Sequence, residues 1–284
     1  LVPPCRYMTS KGSPIPIVWA TLYGMFIPPN VILLASKVCA IADSPLVIYL
    51  HGGTSKGNDN ERQMGEPGID SIANYIKQQQ MEAYFLVPQC PSDKSWGGPM
   101  LSVLKALIDK YVKEGVADKN SVYIFGGSMG GTGTWSMLSA YPGMFAAAMP
   151  VAGNPSKCDA DKVASTPVYT VMGTSDQIMN VETTADFIDE LNARDGKTKF
   201  DIEDGWTHEM TCIQSYTTQR LDWVFSQSIS SSGIEKPTTE GKDIISMQYY
   251  ATDGRRLAKP TSKGLNIMRC VYEDGTVKAV KRSR

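Results

Sequence analysis

Histidine is the scarcest chemical resource in this chain: 284 residues carry two, His51 and His208. Any reaction that needs an imidazole base must use one or the other. Charge of one sign is also missing. Lys and Arg total 28 against 29 Asp and Glu, for a net charge of −1, and no long basic run occurs. That sets aside nucleic acid as a partner. No apolar run is long enough to cross a bilayer; the greasiest segment, residues 31–42, is broken by Ser36 and Lys37 and reads as a buried strand or helix. The six cysteines show no zinc spacing, and in a chain this long they do not make a disulfide framework. No repeat of propeller-blade length is present. The chain opens at Leu1 without a methionine, the pattern expected where a leader has been removed.

What is present is a strand pattern running into a glycine-flanked serine. Val122-Tyr123-Ile124-Phe125 is followed by Gly126-Gly127-Ser128-Met129-Gly130, and a helical pattern starts at once. A serine raised on a sharp strand-to-helix turn leaves no room for side chains two residues to either side, and glycine removes them. The helix that follows aims its first N–H groups at charge forming on that serine.

Around this stretch, strands and helices alternate. Buried strands are expected at residues 46–50, 84–87, 122–125, 145–151 and 168–172, with a short one at 199–202. Helices are expected at 69–80, 100–113, 129–140, 181–193 and 213–225. Such alternation predicts a parallel sheet with helices on both faces and a site beyond the carboxyl ends of the strands. Residues 1–44 are poorly defined leading strands, with edge-strand patterns at 15–20 and 23–27. After Ser226 a serine-rich linker leads to two patterns of strand, Asp-Gly, strand, at Asp253-Gly254 and Asp274-Gly275. The domains read as 1–230, catalytic, and 231–284, a small β-hairpin module with Met247, Tyr249, Leu265, Ile267 and Val271 as its apolar face.

A serine nucleophile needs a base, and the base needs a carboxylate to orient it. His51 opens a His-Gly-Gly turn of the kind that supplies oxyanion donors, whereas His208 follows the last strand. Asp176 follows the strand before that; Asp159, Asp161 and Asp186 compete for its role. The order Ser128, Asp176, His208 is that of the α/β-hydrolases. The oxyanion donors are then the N–H of Met129 and one from residues 52–54, Gly53 being favoured. Trp96 and Trp206 lie on loops at the active edge, where they stack on substrate or else pack as a lid on the core; Trp135, at helical spacing, reads as core. Cys158 and Cys212 lie on loops near the same edge and form a disulfide if the protein is exported.

Residues 45–227 resemble the polyhydroxybutyrate-depolymerase and feruloyl-esterase group of α/β-hydrolases. The resemblance is carried by Pro45 to Gly53, Gly57-Asn58-Asp59-Asn60, Val87-Pro88-Gln89-Cys90-Pro91, Val122 to Trp135, Tyr141-Pro142 and Phe145-Ala146-Ala147. It implies serine carboxylesterase activity on small acyl or hydroxycinnamoyl esters, including feruloyl or acetyl groups on plant polysaccharide. It also implies Ser128, Asp176 and His208 as catalytic residues, with no metal and no organic cofactor. The segment before Asp176, Val171-Met172-Gly173-Thr174, lacks the His-Gly common in relatives, and residues 1–44 do not match the usual leading strands. The tail, with Tyr249-Tyr250-Ala251-Thr252-Asp253-Gly254 and Lys263-Gly264-Leu265-Asn266-Ile267, is similar to C-terminal sorting domains of secreted Bacteroidetes proteins. That implies export, to the medium or the cell surface of a bacterium, with the export machinery as a partner. Two alternatives stand beside this reading: a serine peptidase of the prolyl-oligopeptidase kind, and a non-catalytic surface protein that binds carbohydrate on a hydrolase fold.

Overall fold

A computed structural model describes residues 44–229 continuously, and outside them the strands Tyr7–Met8 (β1), Ile17–Val18 (β2), Val31–Ala35 (β3), Ile244–Tyr250 (β10), Arg256–Leu257 (β11), Leu265–Tyr272 (β12) and Val277–Ser283 (β13). Within residues 44–229 the order is Ser44–Leu50 (β4), Pro67–Gln78 (α1), Tyr84–Pro88 (β5), Pro99–Lys113 (α2), Ala117–Gly127 (β6), Met129–Ala140 (α3), Ala147–Val151 (β7), Ala160–Val163 (α4), Val168–Gly173 (β8), Val181–Asn192 (α5), Thr198–Glu203 (β9), His208–Gln214 (α6) and Thr218–Phe225 (α7). The chain divides into two compact units, Leu1–Ile229 and Ser230–Arg284.

The first unit is built on one sheet with strand order β1-β2-β3-β5-β4-β6-β7-β8-β9. The run from β5 to β9 is parallel throughout, and β1, β2 and β3 join its β5 side antiparallel. This is the α/β-hydrolase fold. Residues 31–35 are therefore strand, paired from Val31 opposite Pro88 to Ala35 opposite Tyr84. The edge-strand pattern at 23–27 lies outside the described residues.

Side-chain alternation along β4 divides the core. Val47 and Tyr49 point to one face, where they meet Ile69, Ile72 and Ile76 of α1 and Leu221 and Val224 of α7. Leu46, Ile48 and Leu50 point to the other, against Leu104 and Ile108 of α2, Trp135 and Leu138 of α3 and Ile188 and Leu191 of α5. A strand buried on both faces needs no polar alternation, and for that reason residues 46–50 read as an unbroken apolar run. Trp135 is fully buried as expected, its ring edge-on to Phe187 at 5.4 Å between centroids.

The expected helix over 213–225 is two helices. Arg220 Nη1 takes the Ser215 carbonyl, and the buried Tyr216 turns the chain between α6 and α7. Helix α6 starts earlier than periodicity indicates, at His208, because Thr207 caps it: its Oγ1 accepts the Met210 N–H at 3.3 Å. The 154–166 loop holds one short helix, α4, capped by Asp159.

The second unit is a four-stranded antiparallel sheet of order β11-β10-β12-β13. Its register pairs Met247 with Cys270 and Tyr249 with Met268, out of phase with Leu265, Ile267 and Val271, so the five residues expected to form one apolar face divide between the two faces of the sheet. The two Asp-Gly turns and most of the serine-rich linker lie outside the described residues. No helix among the described residues is long and apolar enough to cross a membrane.

Candidate active site

The turn after β6 has the geometry its glycines imply. Ser128 sits at φ 57° and ψ −119°, a backbone conformation strained for any residue with a side chain. Its N–H donates to Val151 O at 3.0 Å, and its carbonyl accepts the Thr132 N–H at 3.0 Å. A Cβ on Gly130 would stand 1.8 Å from Leu50 O, and one on Gly126 would stand 2.4 Å from Gly130 O. Close packing of α3 against β4 thus excludes any other residue at either position.

The tips of β6, β8 and β9 bring three distant residues into one hydrogen-bonded chain. His208 Nε2 is 2.8 Å from Ser128 Oγ, and His208 Nδ1 is 2.8 Å from Asp176 Oδ2. The other Asp176 oxygen accepts the N–H groups of Ile178 and Met179, both at 2.8 Å. The Asp176 side chain is fully buried and that of His208 is 16% exposed. An acceptor-only carboxylate on Nδ1 places the ring proton there and leaves Nε2 to accept from the serine hydroxyl. The loops carrying Asp176 and His208 are laced together: Thr174 N donates to Glu203 O, Ser175 N to Trp206 O and Gly205 N to Thr174 Oγ1. The rival carboxylates are occupied elsewhere. Asp159 caps α4, Asp161 pairs with Arg194, and Asp186 lies exposed on α5.

His51 is excluded as the base by its own bonds. It is fully buried; Nδ1–H donates to Gly52 O at 2.7 Å and Nε2 accepts the Cys90 N–H at 2.8 Å. Burial lowers its pKa, so the ring is held neutral. Its carbonyl accepts the Trp96 indole N–H at 2.9 Å. Trp96 corrects one of the two sequence expectations for it: at 3% exposure, edge-on to the His51 ring and in the core with Leu50, it packs beneath the turn and offers no face to substrate. Its indole fits here because Gly133 of α3 has no side chain to oppose it. A cleft of about 510 Å³ beside this loop is lined by Asp93, Lys94, Ser95, Gly97, Gly98, Pro99 and Met100, and Trp96 is not among them. Trp206 is half-buried on the His208 loop, with the Arg220 guanidinium 5.9 Å from its ring centre.

Two peptide planes meet at Gly52, and their polar groups are nearly all engaged. In the 51–52 plane the carbonyl is held by Trp96 and the N–H by Glu66 Oε1 at 2.9 Å. In the 52–53 plane the carbonyl is held by His51 Nδ1 and, at 3.3 Å, by Ser55 N. The remaining group, the Gly53 N–H, has no protein acceptor among the described residues. Met129, the other expected donor, is the first residue of α3, immediately after Ser128.

Glu66 is the residue that sequence reasoning misses. It stands before Pro67 with no motif around it, and its place beside the turn depends on how residues 54–65 fold back. The stretches Gly57 to Asn60 and Val87 to Pro91 find their physical link here. Gln89 Nε2 donates to Asp59 Oδ1 at 2.8 Å, and the Asn60 N–H donates to Gln89 Oε1 at 2.7 Å. The N–H groups of Glu61 and Arg62 and the Gln89 amide hold the Asp59 carboxyl down at about 2. Cys158 and Cys212 are free thiols, which corrects the disulfide expectation: they pack against opposite faces of the sheet.

Fold and site together define an α/β-hydrolase centred on a serine. The chain belongs to the dienelactone hydrolase family, whose model matches residues 77–220. It is 32% identical over 127 residues to poly(3-hydroxyalkanoate) depolymerase C of Paucimonas lemoignei; the match covers 41% of this chain and 30% of that protein, so the chain spans less than a third of that relative. The crystal structure of a thermostable esterase superposes with a TM-score of 0.61 at 25% identity, over 79% of this chain and 62% of that one. A feruloyl esterase module from Clostridium thermocellum, complexed with sinapinate, has the same fold at 13% identity, with a TM-score of 0.56 over 74% of this chain and 89% of that one.

Proposed function

We propose that this protein is a serine carboxylesterase with Ser128 as nucleophile, His208 as general base and acid, and Asp176 as the residue that orients the imidazole. The observation that carries the reading is the unbroken hydrogen-bonded chain from Ser128 Oγ through both nitrogens of His208 to the buried Asp176 carboxylate. Ser128 Oγ attacks the ester carbonyl carbon as His208 Nε2 takes its proton. The resulting oxyanion accepts hydrogen bonds from the Gly53 and Met129 N–H groups, each contributing about 3 kcal/mol. His208 returns the proton to the leaving alkoxide, and the C–O bond breaks to leave an acyl-serine. Water then repeats the sequence: His208 takes a proton from it, its oxygen attacks the acyl carbon, and Ser128 leaves reprotonated.

The substrates are small acyl or hydroxycinnamoyl esters, with feruloyl and acetyl groups on plant polysaccharide as the natural setting. Depolymerase C supports this by its sequence similarity over 127 residues, and the feruloyl esterase module by its shared fold and its bound sinapinate. Trp206, half-buried beside His208, is the aromatic surface on which a phenolic acyl group stacks. The protein acts outside the cell or at the cell surface, and the unit Ser230–Arg284 serves its placement there. Hydrolysis rates for short p-nitrophenyl esters, methyl ferulate, acetylated xylan and a peptide amide test the reading. High rates on the esters are expected, with a negligible rate on the amide. Rates that climb steadily with acyl chains beyond about ten carbons would contradict it.

A further inference from the structure

The Glu66 carboxylate stands where a negative charge works against an oxyanion. A Cβ built on Gly52 would lie 3.3 Å from one Glu66 oxygen, 3.8 Å from the other and 3.7 Å from Ser128 Cβ. Nucleophile and carboxylate therefore flank the same point. An anion so placed raises the energy of a second anion unless its field is taken up locally.

Its bonds show where that field goes. Oε1 accepts both the Gly52 N–H, at 2.9 Å, and the Ser55 hydroxyl, at 2.6 Å. Oε2 accepts the hydroxyl of the buried Tyr49 at 3.2 Å. Glu66 is also the N-cap residue of α1, yet its side chain makes no capping bond to that helix. A carboxylate at an N-cap ordinarily accepts from its own helix. This one is turned away, onto residues 52 and 55, while the α1 N-terminus favours its charge from behind.

We infer that Glu66 is a positioning residue for the oxyanion turn, fixing the 52–55 backbone so that the Gly52 N–H is withdrawn from the reacting centre and the Gly53 N–H is presented to it. The inference rests on the serine-esterase reading above. Tyr49 anchors the carboxylate from the β4 side, and Ser55 ties the far end of the turn to the same oxygen as Gly52. Without Glu66, the 51–52 peptide keeps one tether, Trp96 on the His51 carbonyl, and is free to swing about it. The Gly52 and Gly53 N–H groups then compete for the oxyanion in poor geometry. The acceptor, not the charge, does this positioning, so an amide oxygen in the same place performs it too.

The test compares Glu66→Ala, Glu66→Gln and Ser55→Ala in the full chain, using p-nitrophenyl acetate as substrate and phenylboronic acid as a probe that forms a tetrahedral adduct on the serine. Deleting an oxyanion donor outright costs 100-fold or more; leaving it disordered costs less. Glu66→Ala should lower kcat about 30-fold, leave KM within threefold and weaken phenylboronic acid by about the same factor as kcat. Glu66→Gln should stay within about fivefold of the parent in both. Three outcomes overturn the inference: a Glu66→Ala kcat within threefold of the parent, a fall in kcat with boronic acid affinity unchanged, or Glu66→Gln as impaired as Glu66→Ala. Should Glu66→Ala fail to fold, Ser55→Ala decides. About a fivefold loss with a matching boronic acid shift supports the inference, and unchanged affinity overturns it. Ser128→Ala run alongside separates the two readings. Its retained hydrolysis sinks the esterase reading itself, whereas an inactive Ser128→Ala beside a fully active Glu66→Ala sinks only the role of Glu66.

Discussion

At the scale of single residues, the two histidines have opposite surroundings. His208 keeps one nitrogen for the Ser128 hydroxyl; His51 has both nitrogens committed to backbone groups. Ser128→Ala and His208→Ala should each lower kcat on p-nitrophenyl acetate about a thousandfold or more without loss of fold, because no second imidazole is free to act. Asp176→Asn should also lower kcat about a thousandfold or more, because an amide that donates to Nδ1 moves the ring proton to Nε2 and leaves no acceptor for the Ser128 hydroxyl. A folded His208→Ala enzyme with near-full activity would remove His208 from the mechanism. His51 makes a different prediction, about pH. Burial lowers its folded pKa below the unfolded value of about 6.5, so the unfolded chain binds more protons between those two values. The stability that neutral His51 contributes is complete above about pH 6.5 and is lost as pH falls through the lowered folded value. NMR of the ring nitrogens should find His51 as the Nδ1–H tautomer at pH 7. The melting temperature should fall as pH drops from about 6.5 toward the lower pH at which that signal changes.

At the scale of elements, the strand–turn–helix of β6 and α3 is the most constrained part of the molecule. Gly130→Ala would drive a methyl group onto the Leu50 carbonyl, backbone against backbone, with no flexible side chain to give way. It should destabilise the fold by more than about 3 kcal/mol, read as a fall in the denaturant midpoint or as insoluble protein. Gly53→Ala is the contrast, because nothing lies within 4 Å of its added Cβ. That variant should fold with a midpoint close to the parent's, so any change in its kcat reports on the oxyanion turn. These elements were legible in advance because their reasons are local: an apolar run, a glycine at each crowded position, a helical period beyond. The break between α6 and α7 was not legible. It is made by Arg220, which reaches back from α7 to the Ser215 carbonyl while also pairing with Asp201 and Glu203 on β9, and a periodicity carries no trace of such bonds.

At the scale of the whole molecule, the site residues all lie in the unit Leu1–Ile229, and the second unit is a separate antiparallel sheet. A chain ending at Ile229 should therefore keep its kcat/KM on p-nitrophenyl acetate within tenfold of the parent. A larger drop in a well-folded truncation would mean that Ser230–Arg284 helps build the site, and the placement role proposed for that unit would have to be shared or given up.

The amino-acid sequence alone determined the parallel sheet and the glycine-flanked serine at its central turn, and it narrowed any imidazole base to His51 or His208. Each follows from a pattern of neighbours, or from there being only two histidines to choose between. Tertiary structure alone decided which of four aspartates faces His208, since Asp159, Asp161 and Asp186 differ from Asp176 only in where the folded chain puts them. It alone turned Trp96 inward, because the space for an indole opens only when Gly133 of α3 is packed across from it. It alone brought Glu66 to the turn at residues 52–55. Contacts between segments remote in sequence are selected by packing and by satisfaction of buried polar groups over the whole fold, and no local window of residues records that selection.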